Sequence, residues 1–499
     1  MEPQSNPPQS TTGPSGEPNV FSANLLQSIA NRTSSRPNIR VGGTSLQRSV
    51  WDPTQSSAIV VPPSQTGGGI PIGISIGPSY FESYNNFPTA SYIFMIPVGR
   101  RSTVEGSSSF AKSGWDTIGA DNIIALEPGN EPNSYHGGYD AVEYVEQFRE
   151  YSSAISEAVG IEVGEKPWLV GSVGTTAGDP AWNVTTLFDA GLDSLIPRIY
   201  SFSAHHYGWG LRIHLDVEEQ LMDHRLMPRR MAKYVPEIAY LNALDPPVRF
   251  GFHEVGSGLA EIPDGSNILE RSFGAALWQV DFMLYTMTMG VERVNMQSGL
   301  SFQFSQWNPV EWSGDPPAVF ANFYGSLFSA AMIGPSGSAQ ATELDLGDDT
   351  GKLVAYAIYE SGDLARVALL NLNFYNGSDA SSSAARGSQT FNVECPSDQE
   401  EVMIVRLASP LGAGAMESTD ISFGGQTWSY ETDGLPVDAG IDDSSTVTVR
   451  DGVAEIAVLD SEAVMVVFRS ATTSTTSSSG TASSTSSASR EATGTYTPR

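Results

Sequence analysis

Between residues 38 and 297, strand-like runs alternate with helical ones, and this alternation limits the folds open to the chain. Strand-like runs lie at about 38–43, 91–97, 121–127, 168–173, 199–206, 248–254 and 291–297. Between them, Val142, Val145, Phe148, Ile155 and Val159 recur at near-helical intervals, as do Phe273, Leu277, Val280 and Leu284. Strands separated by helices pair in parallel, with the helices covering the sheet. The expectation is a (β/α)₈ TIM-type barrel, although seven strands are legible and the first is missing. Only a short helix at Phe21–Asn31 and a Pro/Gly/Ser/Thr-rich segment precede the strand at 38.

Past Tyr324 the pattern changes to short strands, at 353–359, 366–374, 401–408, 446–450, 453–459 and 463–468, divided by Gly, Asn and Asp turns. This predicts a C-terminal antiparallel β-sandwich whose edges pack on the barrel. The expected layout is a disordered segment over 1–19, a barrel over 20–323, a sandwich over 324–470 and a disordered tail over 471–499. In that tail 18 of 29 residues are Ser or Thr, which suits an O-glycosylated stalk rather than a core.

The chain of 499 residues carries 26 basic and 56 acidic residues, a formal charge of −30. Nucleic acid and anionic membranes would be repelled. No run of 18 apolar residues exists, so no membrane span is expected. A single cysteine, Cys395, rules out an intrachain disulfide. The start, Met1–Pro18, lacks the basic and apolar parts of a signal peptide. Sequons at Asn31, Asn183 and Asn376 nevertheless point, with the tail, to an extracellular glycoprotein.

Two carboxylates stand at strand ends: Glu131 in Gly-Asn-Glu-Pro, and Glu254 after Val248, Phe250 and Phe252, whose face it is expected to share. They are 123 positions apart, room for about three βα units at roughly 35–40 residues each. Barrel enzymes place their chemistry at the C-terminal ends of the strands. Two carboxylates so placed suit retaining glycoside hydrolysis, one attacking the sugar and the other moving a proton, about 5–5.5 Å apart. Alone, each has a structural alternative: a turn with a surface glutamate, or a salt-bridged strand end.

Asn130 beside Glu131 suits a contact to a sugar 2-hydroxyl. Tyr207 and His205 share a strand face, from which the tyrosine could hydrogen-bond the nucleophile. His205 and His206 lack a third metal ligand nearby, so neither metal nor cofactor is expected. Arg40 could pair with the nucleophilic carboxylate, or be an ordinary surface arginine. Trp307, Trp312 and Trp278 are candidates for a sugar-stacking platform, with Trp278 better suited to the core. Gly67-Gly-Gly69 has no phosphate-binding context.

Phe21-Ser-Ala-Asn-Leu-Leu26, Ile39-Arg-Val-Gly-Gly43, Pro128-Gly-Asn-Glu-Pro132, His205-His-Tyr207, Ala275-Ala-Leu-Trp-Gln-Val-Asp281 and Gly290-Val-Glu-Arg-Val-Asn295 together resemble fungal members of glycoside hydrolase family 79. The resemblance covers about residues 20–470 and implies β-glucuronidase activity. It makes Glu131 the acid/base and Glu254 the nucleophile, with Asn130 and Tyr207 in support. The chain departs from the family at Gly256-Ser257, where Asn-Ser is usual, and at Gln297, where His is usual. Those departures touch substrate identity more than mechanism. The expected function is retaining exo-hydrolysis of β-linked glucuronides in a polysaccharide or glycoprotein glycan. A neutral-sugar β-glycosidase of the same clan and a non-catalytic glycan-binding wall protein are the alternatives.

Overall fold

Seven parallel strands form the first sheet of the computed structural model: β1 (Asn38–Val41), β2 (Ser91–Ile96), β3 (Ile123–Pro128), β4 (Trp168–Val173), β5 (Ile199–Tyr207), β6 (Arg249–Gly256) and β7 (Val294–Met296), hydrogen-bonded in chain order. The structure describes residues 17–468 except 63–72, 100–101, 136–138, 163–164, 166, 175–179, 209–215, 259–265, 301, 313 and 379–384. The expectations for residues 1–16, for Gly67–Gly69 and for the Ser/Thr-rich tail lie outside the described residues.

The sheet curls into a nearly closed barrel. Among the described residues no strand lies between β1 and β7. The seam is bridged by Asn295, whose Nδ2 donates to the Asn38 carbonyl at 3.1 Å and to its Oδ1 at 3.2 Å. Outward side chains of the strands, such as Phe94, Phe202, Phe250 and Phe252, pack beneath the covering helices in one continuous core. Inside the lower barrel lies a small separate cluster of Ile93, Ala125 and Leu169.

The covering helices begin and end on local signals. In α1 (Val20–Thr33) the Asn19 side chain accepts from the Ser22 amide at 3.0 Å. In α2 (Val104–Ile118) Thr103 caps the Gly106 amide. Asp140 caps α3 (Ala141–Val159), which Gly160 ends in the left-handed conformation. Such caps satisfy amides that the first turn leaves unpaired. Ser272 caps α4 (Phe273–Thr288), which follows a 3₁₀ turn at Ser266–Arg271.

The expected boundary at 323 falls inside α5 (Ala321–Ile333), a largely apolar helix whose buried residues join the barrel core beside α4. The larger C-terminal sheet then begins, with strands β8 (Ala339–Leu344), β9 (Leu353–Glu360), β10 (Asp363–Asn371), β12 (Glu401–Ala408), β13 (Ser444–Thr448) and β15 (Glu462–Val467). Its order is β8-β9-β10-β15-β12, continued by three short strands, with β13 also on β12. A two-stranded sheet, β11 (Ser388–Glu394) and β14 (Val453–Leu459), covers one face.

The sandwich meets the barrel through a face, not its edges. Strand alternation explains this. Val354, Tyr356 and Ile358 of β9 and Ala368 and Leu370 of β10 join the barrel core, while Ala355, Ala357, Val367 and Leu369 point the other way, to Phe391 and Ile456. Both faces of the large sheet are therefore apolar, and the alternating polar face expected of a solvated sheet is missing. Among the described residues, no helix is long and apolar enough to cross a membrane.

Candidate active site

Two strand irregularities shape the C-terminal end of the barrel. Along β6, Ala204↔Phe252 is followed by His205↔Glu254 on one side, and Val294↔Phe252 by Met296↔Val255 on the other. One extra residue in β6 reverses the alternation. Glu254 therefore does not continue the face of Phe250 and Phe252, as the bare spacing predicts. Those two point outward to Tyr234, whereas Glu254 turns inward to Arg40 and Tyr207. In β4, Gly171↔Ser203 is followed by Val173↔Ala204, which leaves Ser172 as the extra residue.

The inward carboxylate of Glu254 is buried. It accepts from Arg40 Nη1 at 2.7 Å through Oε2 and from the Tyr207 hydroxyl at 2.7 Å through Oε1. Burial alone would raise its pKa. Its electrostatic interactions with His205 and Arg40 and the Tyr207 hydrogen bond outweigh this and hold it down at about 2. Burial likewise works against the Arg40 charge, but Glu127 and Glu254 overcome it and push the guanidinium further up.

Arg40 divides its fork three ways: Nε to Glu127 at 2.6 Å, Nη1 to Glu254, and Nη2 to Asn130 Oδ1 at 2.8 Å. Gly42 makes room for it, since a Cβ there would lie 2.8 Å from Arg40 Cζ.

Glu131 is the more open partner: its side chain is 25% exposed, against 8% for Glu254. It sits at φ +48, after Gly129 at φ +86, where a Cβ would press on Val98. A left-handed non-glycine residue costs roughly 1–2 kcal/mol. The Glu131 amide donates to the Ser172 carbonyl at 2.9 Å, which helps hold the turn. His205 Nδ1 lies 3.0 Å from Glu131 Oε1 and 3.8 Å from Glu254 Oε2. One ligand-type atom from each of Glu131, His205 and Glu254 falls within 4.8 Å of the others. That spacing could hold a cation, but Arg40 already places a positive charge on Glu254, which opposes a second one.

The other expected site residues are distributed unevenly. Asn130 is buried and accepts from Arg40 Nη2, and its amide donates to the Tyr135 hydroxyl at 3.3 Å. Ser257 is buried just past β6, and its hydroxyl has no partner among the described residues. Gln297 is buried at the end of β7, its amide on Val255 O at 2.7 Å.

His206 turns away from His205, as neighbours on a strand do. It stacks on Phe282 at 5.4 Å, and burial lowers its pKa to about 3, so this histidine is core. Trp307 is core too: it is buried against Phe323 and donates to Ser22 Oγ at 2.9 Å. Trp278 is buried on Phe282, and Trp312 is 40% exposed in a turn with Asp315. Of the sequon asparagines, Asn31 is exposed at the end of α1. Asn183 and Asn376 are half-buried, with Oδ1 accepting from Thr186 N and Ser378 N.

Sequence reasoning missed Glu127 and Ser172. Glu127 is fully buried, on Arg40 and on the Ser172 hydroxyl. The available signal was a glutamate two positions beyond Ala125 on one inward row.

The sequence profile described as the glycosyl hydrolase family 79 C-terminal beta domain matches residues 355–465. Two relatives align over most of the chain. A β-glucuronidase of Neurospora crassa is 27% identical over 486 residues, spanning 85% of this chain and 82% of the relative. A β-glucuronidase of Aspergillus niger is 27% identical over 477 residues, spanning 89% and 86%.

The chain is a glycoside hydrolase similar to members of family 79.

The fold of this glycoside hydrolase matches that of a solved 4-O-α-L-rhamnosyl-β-D-glucuronidase from Fusarium oxysporum. The TM-score is 0.74 at 21% identity, over 90% of this chain and 92% of the other. It is also similar in fold to an α-L-arabinofuranosidase from Thermotoga maritima, with a TM-score of 0.61 at 14% identity, over 93% and 92%.

Proposed function

We propose that this glycoside hydrolase removes β-linked glucuronic acid from glycans outside the cell, with retention of configuration. The observation that carries the reading is the convergence of Glu131, His205 and Glu254 atoms within 4.8 Å. That spacing suits direct attack, whereas an inverting pair stands about 6.5–9.5 Å apart to admit a water. The names of the two aligned relatives support the sugar.

Glu254 is the nucleophile. Its low pKa keeps it ionised at any working pH, and Tyr207 and Arg40 orient its two oxygens. In the first step Glu254 bonds to the anomeric carbon while Glu131 gives its proton to the departing oxygen, and the glycosidic bond breaks. In the second, Glu131 takes a proton from water, the water oxygen bonds to the anomeric carbon, and the ester to Glu254 breaks. Asn130 holds the sugar 2-hydroxyl, a contact that strengthens in the transition state.

The decisive experiment compares aryl β-glucuronide with aryl β-glucoside and follows the first-formed anomer by NMR. Faster glucuronide turnover with a β product supports the reading. An α product removes the retaining mechanism, faster glucoside turnover removes the uronic sugar, and glycan binding without turnover removes both. Glu254→Gln should abolish turnover, while azide should partly restore Glu131→Ala on substrates with good leaving groups.

A further inference from the structure

We infer that Glu127 and Ser172 form one positioning unit, which ties the two reacting carboxylates together and sets how firmly the nucleophile is held. The inference rests on reading Glu254 as nucleophile and Glu131 as acid/base.

Four hydrogen bonds join the Glu131 backbone to the Glu254 carboxylate through buried groups. The Glu131 amide donates to the Ser172 carbonyl at 2.9 Å. The Ser172 hydroxyl donates to Glu127 Oε1. Arg40 Nε donates to Glu127 Oε2 at 2.6 Å, and Arg40 Nη1 to Glu254 Oε2 at 2.7 Å. Ser172 and Glu127 are both fully buried.

Ser172 is an unusual residue for its place. It is the extra residue in β4, at φ +51 directly after Gly171 at φ +95. Glycine is the ordinary occupant of such a backbone. A serine there adds a hydroxyl, and that hydroxyl reaches Glu127. The same residue's carbonyl fixes the turn that carries Glu131, so one bulge serves both carboxylates.

Glu127 acts through charge. A single guanidinium is shared between two carboxylates, so neither receives the whole of it. Without the Glu127 charge, Arg40 would bear undivided on Glu254. A more strongly stabilised carboxylate is a poorer nucleophile and a better leaving group. Glu127 therefore balances the formation of the glycosyl–enzyme ester against its breakdown. It touches neither sugar nor leaving group, and its effect runs through Arg40.

Glu127→Gln tests this cleanly, because an amide can still accept from Arg40 Nε and can donate to the Ser172 hydroxyl. The probe is the 2-deoxy-2-fluoro glycosyl fluoride of whichever sugar the enzyme turns over. Inactivation reports ester formation, and reactivation reports ester breakdown. The expected result is inactivation slowed about tenfold to a hundredfold with reactivation accelerated. A general loosening of the fold would slow both, and that outcome, or no change in either, overturns the inference. Ser172→Gly keeps the backbone and removes the hydroxyl. It should slow inactivation several-fold while leaving the melting temperature unchanged. Its effect should not add to that of Glu127→Gln, since both act through one contact; additive losses would also overturn the inference. Mass spectrometry of the labelled peptide separates the two readings. A label away from Glu254 refutes the nucleophile assignment. A label on Glu254 with both rates falling refutes only the positioning unit.

Discussion

Glu270 makes the fold sensitive to pH in a direction that can be worked out. It lies in the 3₁₀ turn before α4, is 1% exposed, and neither carboxylate oxygen has a partner among the described residues. Burial raises its pKa from 4.5 to about 8. In the unfolded chain the group loses its proton near 4.5, while the folded protein retains it until about 8. Over that window the folded state binds more protons, so stability falls as pH rises. Each pH unit costs about 1.4 kcal/mol, or roughly 3 kcal/mol between pH 4.5 and 7. Glu270→Gln is neutral throughout and removes the slope. The variant should match the parent near pH 4.5 and exceed it by about 3 kcal/mol near pH 7, on the order of 3 °C in melting temperature for a chain this long. Melting both proteins from pH 4 to 8 provides the check. Parallel curves would refute the reasoning and would mean that Glu270 finds a partner or water when ionised.

Further outcomes follow from other contacts. His224 lies between barrel and sandwich, with Nδ1 3.0 Å from Asp281 and Nε2 3.0 Å from Glu343. Burial opposes its charge, but the two carboxylates raise its pKa from 6.5 to about 10. Its contribution is therefore complete below about pH 6.5 and lost as pH rises through about 10. His224→Ala should cost about 3 kcal/mol in denaturant melts at pH 6 and little at pH 11. Tyr207→Phe removes one hydrogen bond to the Glu254 carboxylate, worth about 1.5–3 kcal/mol, and should lower kcat tenfold to a hundredfold with the melting temperature preserved. Gly42→Ala would push its new methyl into Arg40, 2.8 Å from Cζ. Steady-state kinetics should show kcat/KM down about a hundredfold.

The sequence carried the barrel well because period and length agreed. Runs at 168–173 and 199–206 became strands at 168–173 and 199–207. Strands such as Ser388–Glu394 and the short pairing segments near Trp428 were not legible, since a few polar-rich residues carry little periodicity. Glu131, Glu254, Arg40, Tyr207 and His205 could be named because each sits at or near a strand end. The orientation of Glu254 could not be read, because strict alternation holds only without a bulge. Ser172 gave no signal either: its role depends on a positive φ that a serine does not announce. Trp307 looked available to a sugar because aromatic residues are alike in sequence until burial separates them.

The seam between β1 and β7 gives the candidate site a second duty. A sheet that closes fully distributes load around its whole circumference. Among the described residues this one forms a split ring, with the strand carrying Arg40 at one free end. The ion pair from Arg40 to Glu254 therefore spans the split, beside the weaker amide clasp of Asn295 on Asn38. Any motion that spreads the ring lengthens the Arg40–Glu254 contact, so barrel breathing is mechanically linked to the geometry of the proposed nucleophile. The carboxylate proposed as the nucleophile is also a fastener of the fold.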